Sequence, residues 1–206
     1  MNTKKLTPPT VSAALILLCA IALVPAQEKP AKTGHGHLHR PPEATAAKSM
    51  KVPDVEVLTQ NGQKQKFYTD LVKDKVVIIN FIFTTCKAVC PLMGTNFSKL
   101  QSALGERLGR DVFLISVSTD PETDSPARLK AWGEKFKAKD GWTLVTGRKE
   151  DLTTLLEVLR GDGPSRDFHS LSVGIIDDQK KLHRRAYGLE APERVIQMID
   201  ELAKAN

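Results

Sequence analysis

Val76-Val77-Ile78-Ile79-Asn80-Phe81-Ile82-Phe83-Thr84-Thr85-Cys86-Lys87-Ala88-Val89-Cys90-Pro91 is the stretch on which the fold of this 206-residue chain turns. Its first half is rich in β-branched and aromatic residues with one polar interruption, Asn80, the pattern of a strand buried on both faces. After Pro91 the residues Met93, Phe97, Leu100, Leu104 and Leu108 recur at helical spacing. The cysteines therefore lie in a strand-to-helix turn. Pro91 suits the first helical turn, where its missing N–H would have had no partner.

Two cysteines four apart at a helix start face the same way, with β-carbons roughly 5 to 6 Å apart if the turn is helical. That spacing lets two thiolates share one metal, and a modest backbone shift closes a disulfide instead. The helix N-terminus and Lys87 are both expected to lower the thiol pKa values. Metal binding and redox chemistry both use thiolate, so spacing leaves them open, beside the plainer reading of two inert buried cysteines. The end of a central strand is where open α/β sheets place their sites.

The length accommodates one ordinary domain with extensions, and a hydrophobic fraction of 41% is enough for a core. The formal charge is +6, and loss of a leader carrying Lys4 and Lys5 would leave +4 (6 minus 2). No arginine-rich stripe with interleaved aromatics accompanies that charge, which argues against nucleic acid as a partner. A solvated basic surface suited to an acidic protein partner is the better reading.

Residues 1–26 have the layout of a secretory signal: Lys4 and Lys5, the apolar stretch Val11 to Val24, then Val24-Pro25-Ala26 as a small-residue cleavage site. The apolar stretch is short against the roughly 20 residues of a spanning helix, so export with cleavage is the first reading and an N-terminal membrane anchor the second. Ile16-Leu17-Leu18 before Cys19 lacks the small residues expected ahead of a lipid-modified cysteine. With Cys19 inside the leader, the exported chain keeps the Cys86 and Cys90 pair, as a disulfide, a redox couple or a soft-metal site. Residues 27–50 are rich in Pro, Ala and Lys without apolar period and read as a flexible linker. Within it His35, His37 and His39 alternate, either as weak auxiliary ligands for a divalent ion or as incidental residues of a soluble tether. Residues 51–206 form the domain.

In the domain, Val55 to Leu58, Asn61-Gly62 and Gln65 to Tyr68 predict an N-terminal β-hairpin. The central strand, the cysteine turn and a helix to about Leu108 follow, then a buried strand from Val112 to Val117. Ser125 is a predicted N-cap with Pro126 at the first helical position, and Leu129, Trp132 and Phe136 line one face. A short strand at Trp142 to Val145 and a helix from Glu150 to Leu159, ended by Gly161, read as an insertion around 141–165. The loop Gly161 to Asp167 delivers His169 to a strand over Leu171 to Ile176. A strand from Lys181 to Tyr187 and a helix from Pro192 to Ala205 complete the chain. Without the hairpin and insertion the order is β-α-β-α-β-β-α. This order predicts an α/β, thioredoxin-like fold with a central mixed sheet flanked by helices, in which the loop before the third core strand approaches the cysteine turn.

Four segments, Phe81 to Pro91, Ser116-Val117-Ser118-Thr119-Asp120-Pro121-Glu122-Thr123-Asp124-Ser125-Pro126, Gly141 to Gly147 and Phe168-His169-Ser170, together make the chain resemble the Sco (SenC) family from about Val52 to Leu202. Members are thioredoxin-fold copper-binding proteins that assist assembly of the binuclear copper centre of cytochrome c oxidase. The resemblance implies Cys86, Cys90 and His169 as copper ligands. Lys87 stands where many members carry an acidic residue.

Two thiolates suit Cu(I) and an added imidazole lets the same site hold Cu(II), whereas zinc prefers a fourth ligand. The resemblance thus implies a metallochaperone that delivers copper to the copper-accepting subunit of the oxidase, in the periplasm or at the outer face of the inner membrane. Other copper or thiol-redox proteins are further expected partners. The alternative is a thiol-disulfide oxidoreductase in which Cys86 and Cys90 keep the oxidase cysteines reduced. A thiol peroxidase is disfavoured because the strand before Cys86 has no proline. Asp120, at the end of the neighbouring strand, is read either as orienting a ligand or docking a partner, or as capping its own turn. His183 is read as structural or solvent-facing.

Overall fold

A computed structural model of the chain describes residues 50–160 and 172–204. The leader, nearly all of the linker with His35, His37 and His39, and the segment with His169 lie outside the described residues. No helix among the described residues is long and apolar enough to cross a membrane.

Among the described residues seven strands form one mixed sheet: β1 (Glu56–Thr59), β2 (Lys64–Lys66), β3 (Val76–Ile82), β4 (Val112–Ser118), β5 (Trp142–Gly147), β6 (Ser172–Asp177) and β7 (Leu182–Tyr187), in the order β2-β1-β5-β4-β3-β6-β7. The strands β3, β4 and β5 are parallel, while β1 on β5, β6 on β3, and the outer strands β2 and β7 pair antiparallel. Among the described residues four α-helices cover the sheet: α1 (Val89–Leu104), α2 (Pro126–Lys135), α3 (Lys149–Arg160) and α4 (Pro192–Lys204). The segment read as an insertion supplies β5 and α3. β5 lies within the sheet, between β4 and the hairpin, and so joins the two.

The apolar run of β3 serves both faces. Ile78 and Ile82 pack in a cluster with Met93 and Phe97 of α1, Leu129 of α2 and Ile199 of α4. Val77, Ile79 and Phe81 belong to the opposite cluster with Leu152 and Leu155 of α3. Continuous hydrophobicity at β3 is thus the physical consequence of a layer on each side. Asn80, the polar interruption, is fully buried beside Ser116 of β4.

Local chemistry sets the element boundaries. Asn61-Gly62 makes the expected hairpin turn, with Gly62 at φ 76° and its N–H donating to Thr59 O at 2.9 Å. The second hairpin strand is shorter than expected. It stops at Lys66 because Phe67–Val72 coil into a short helix that buries Phe67, Leu71 and Val72. Asp54 starts that helix by accepting the N–H groups of Tyr68 (3.0 Å) and Thr69 (2.9 Å). Helix α1 ends at Leu104, before Leu108, where Gly105 takes φ 54° and opens a tighter turn. Ser125 caps α2 as expected, its Oγ accepting the Arg128 N–H at 3.3 Å with Pro126 next in the chain.

Candidate metal centre

β3 runs out at Ile82, and the chain turns through Thr84 to Ala88 before entering α1 at Val89. Cys86 lies in that turn, half-buried, while Cys90 lies in the first turn of α1 and is 2% exposed. Neither is bridged. The Cys86 N–H donates to Phe83 O at 3.2 Å, which folds the turn back on the strand end. Ala88, at the cap position, offers no side-chain acceptor, and the Cys90 N–H donates instead to Cys86 Sγ at 3.4 Å. The sulfur takes the place of a capping oxygen at a helix end whose N–H groups would otherwise be orphaned.

The two thiols are electrostatically unlike. Burial works to raise the Cys86 pKa, yet its contact with the Cys90 side chain and the N–H groups of Cys90, Ala88 and Val89 bring it below the ordinary cysteine value. Cys90 is pushed up to about 12, first by burial, then by the Cys86 sulfur, with the charge of Asp124 adding to the effect. The expectation that the helix start acidifies both thiols therefore holds for Cys86 and fails for Cys90, which sits among apolar neighbours.

Asp124 is the residue that sequence reasoning missed. It is fully buried. Its Oδ1 accepts both the Thr84 N–H (3.0 Å) and the Thr84 hydroxyl, and its Oδ2 accepts the Ser118 hydroxyl at 2.7 Å. One carboxylate thus pins the start of the cysteine turn to the end of β4. Arg128 Nε adds a 3.2 Å bond to Thr84 Oγ1. Asp120 is half-buried at the surface of the same loop, and its backbone carbonyl accepts from Thr123 N (3.1 Å) and Asp124 N (2.8 Å), which closes the turn. No local signal marked it, because its donors lie at the ends of two other strands.

His169 lies outside the described residues. Among those residues no group of three or more His, Cys, Asp or Glu side chains is placed to hold a metal ion. His183 sits half-buried on β7 opposite Ile176, in keeping with its structural reading.

The SCO1/SenC family model matches residues 44–204. The chain belongs to the SCO1/SenC family. A crystal structure of a SCO1/SenC family lipoprotein from Bacillus anthracis is similar with a TM-score of 0.64 and 32% identity, covering 76% of this chain and 96% of that chain. BsSco, a member of the Sco family of cytochrome c oxidase assembly proteins in which a disulfide switch has been identified, shares the fold at TM-score 0.65 and 22% identity, covering 80% and 99%. The SCO1 protein homolog of Bacillus subtilis is 36% identical over 97 residues, 46% of this chain and 49% of its own. A candidate copper-binding protein of Stutzerimonas stutzeri is 30% identical over 108 residues, 52% of this chain and 51% of its own. The chain spans about half the length of these two relatives. The thioredoxin-like fold expected from the element order is the fold of these Sco proteins.

Proposed function

We propose that this Sco protein is an exported copper metallochaperone that binds copper through Cys86, Cys90 and His169 and delivers it to the binuclear copper centre of cytochrome c oxidase. The observation that carries the reading is the unbridged thiol pair at the end of β3, joined at the α1 start by an N–H to sulfur contact. Two sulfurs at that spacing fit a soft monovalent ion, and an imidazole completes a three-ligand set that also accepts the divalent ion. The register of β6 supports the third ligand. Gly174 pairs with Ile79 in antiparallel sense, so Ser172 begins β6 at the end of the sheet where β3 leads to Cys86. His169 is three residues before Ser172, and extended chain spans at most about 3.6 Å per residue, which limits its Cα to about 11 Å from that of Ser172. Copper is cargo here, and the partner is the copper-accepting oxidase subunit. Asp120 is proposed to orient a ligand or dock the partner, and His35, His37 and His39 to capture metal weakly ahead of the domain.

Copper titration of the wild type and of the Cys86→Ala, Cys90→Ala and His169→Ala chains tests the proposal. One tightly held copper in the wild type, none in either cysteine variant and a sharp loss of affinity in His169→Ala support it. Deletion of residues 31–41 is expected to leave one copper per domain. Unchanged affinity in His169→Ala contradicts the ligand set.

The asymmetry of the two thiols favours a second reading, a thiol-disulfide oxidoreductase acting on the oxidase cysteines. A half-exposed thiol of lowered pKa is the attacking group such an enzyme uses, and a buried protonated thiol four residues on is its resolving partner. Rapid reduction of a mixed disulfide by a chain that holds no copper would favour this reading.

A further inference from the structure

Leu92 and Leu189 are the two large apolar side chains left exposed among the described residues, at 53% and 37%. They come from distant parts of the sequence. Leu92 is in the first turns of α1, two residues after Cys90, and Leu189 is in the turn that leaves β7. Tyr187 pairs with Ser172, so that turn emerges at the end of the sheet that bears the cysteines.

Asn96 joins the two. It stands four residues after Leu92, on the same face of α1. Its Nδ2 donates to the carbonyls of Gly188 at 2.8 Å and Glu190 at 3.0 Å. The two residues that flank Leu189 are therefore held against the helix face that carries Leu92, and both leucines stand on one fixed support at the end of the sheet that bears the cysteines. The rim on the α1 side is cationic. Lys87 and Lys99 are exposed, and α1 carries no acidic residue from Val89 to Leu104.

We propose that Leu92 and Leu189 form the docking platform for the protein that receives copper, and that the partner meets it with an apolar side chain flanked by carboxylates. The inference rests on the function proposed above and adds its recognition chemistry. Two leucines make a small apolar contact, suited to a complex that forms, passes on a metal and separates. Lys87 and Lys99 attract acidic flanks and make the encounter salt-dependent. The platform shares the sheet end of the thiols, on a face of α1 different from that of Cys90, so docking and metal binding can be separated by mutation.

The test uses the full chain loaded with copper, the soluble copper-accepting domain of a cytochrome c oxidase as acceptor, and bicinchoninate as an acceptor too small to need docking. The Leu92→Ser/Leu189→Ser chain is expected to keep the wild-type copper affinity and the wild-type rate of loss to bicinchoninate. Its half-saturating concentration of acceptor domain rises by about tenfold, because the two leucines no longer bury apolar surface against the partner. Leu92→Ala/Leu189→Ala, which keeps a good helix former in α1, shows the same rise with an unchanged thermal midpoint. Lys99→Glu raises the half-saturating concentration at low salt, and the effect fades at high salt. A wild type that transfers copper normally while both double variants match it overturns the platform alone. A wild type that takes up no copper overturns the proposed function and this inference together. Self-association of the wild type that the double substitutions abolish assigns the patch to a second copy and overturns the partner proposed.

Discussion

Asp124 Oδ1 accepts the backbone N–H of Thr84 at 3.0 Å and the Thr84 hydroxyl as well, so one buried carboxylate fixes the first residue of the cysteine turn. Asp124→Ala leaves the buried Ser118 hydroxyl and the half-buried donors of Thr84 without their acceptor, which costs about 1–3 kcal/mol for the buried group and less for the others. Chemical denaturation is expected to show a loss of that order. Asp124→Asn, which keeps one acceptor, loses less and lowers the Cys90 pKa, because a negative charge near that sulfur is gone. A fully stable Asp124→Ala chain would contradict the role given to this carboxylate.

In the metal-free protein the thiols are expected to divide cleanly by pH. Alkylation of Cys86 by iodoacetamide rises with pH to a midpoint below the ordinary 9.0, while Cys90 in the folded chain stays unreactive at that pH. Between about 9 and about 12 the folded chain holds a proton on Cys90 that the unfolded chain has lost. Its contribution is therefore fully present below pH 9 and falls as pH rises through that window. Cys86 acts oppositely and below pH 9, its folded state releasing the proton first, so its contribution grows as pH rises toward 9. Denaturant midpoints of wild type and Cys90→Ser compared across this range check the sign, and a decline equal in both chains would contradict it.

Gly94 of α1 faces the ring of Phe136, and a Cβ built there would lie 2.7 Å from it. Gly94→Ala gains up to about 1 kcal/mol of helix propensity, yet overpacking costs about 1–3 kcal/mol, so the net expectation is a loss. Because Gly94 is one turn beyond Cys90, the substitution also strains the support of the thiol turn. Phe136→Leu combined with Gly94→Ala should recover stability in thermal unfolding. A more stable Gly94→Ala single variant would refute the close approach of ring and helix.

What could be read from sequence, and what could not, follows from the range of the forces involved. The β3 run was legible because burial on both faces leaves a continuous apolar signature, and the Ser125-Pro126 cap was legible because its chemistry is local. The short helix Phe67–Val72 was hidden because its N–H acceptor is Asp54, in a segment ahead of the hairpin. Asp124 was hidden for a similar reason, since its donors come from Thr84 and Ser118 on two different strand ends. Asp120, four residues earlier, looked equivalent in sequence, but its backbone carbonyl does the turn-closing. The cysteine turn itself was legible. The unequal acidity of its thiols depends on packing around Cys90 that no local pattern encodes.

The most direct measurement is X-ray absorption at the copper edge of the loaded full chain, taken for wild type and His169→Ala. The wild-type shell is expected to hold two sulfurs and an imidazole nitrogen, with the imidazole signal absent from His169→Ala. A sulfur shell without imidazole in the wild type, or an imidazole signal that survives the substitution, would contradict it.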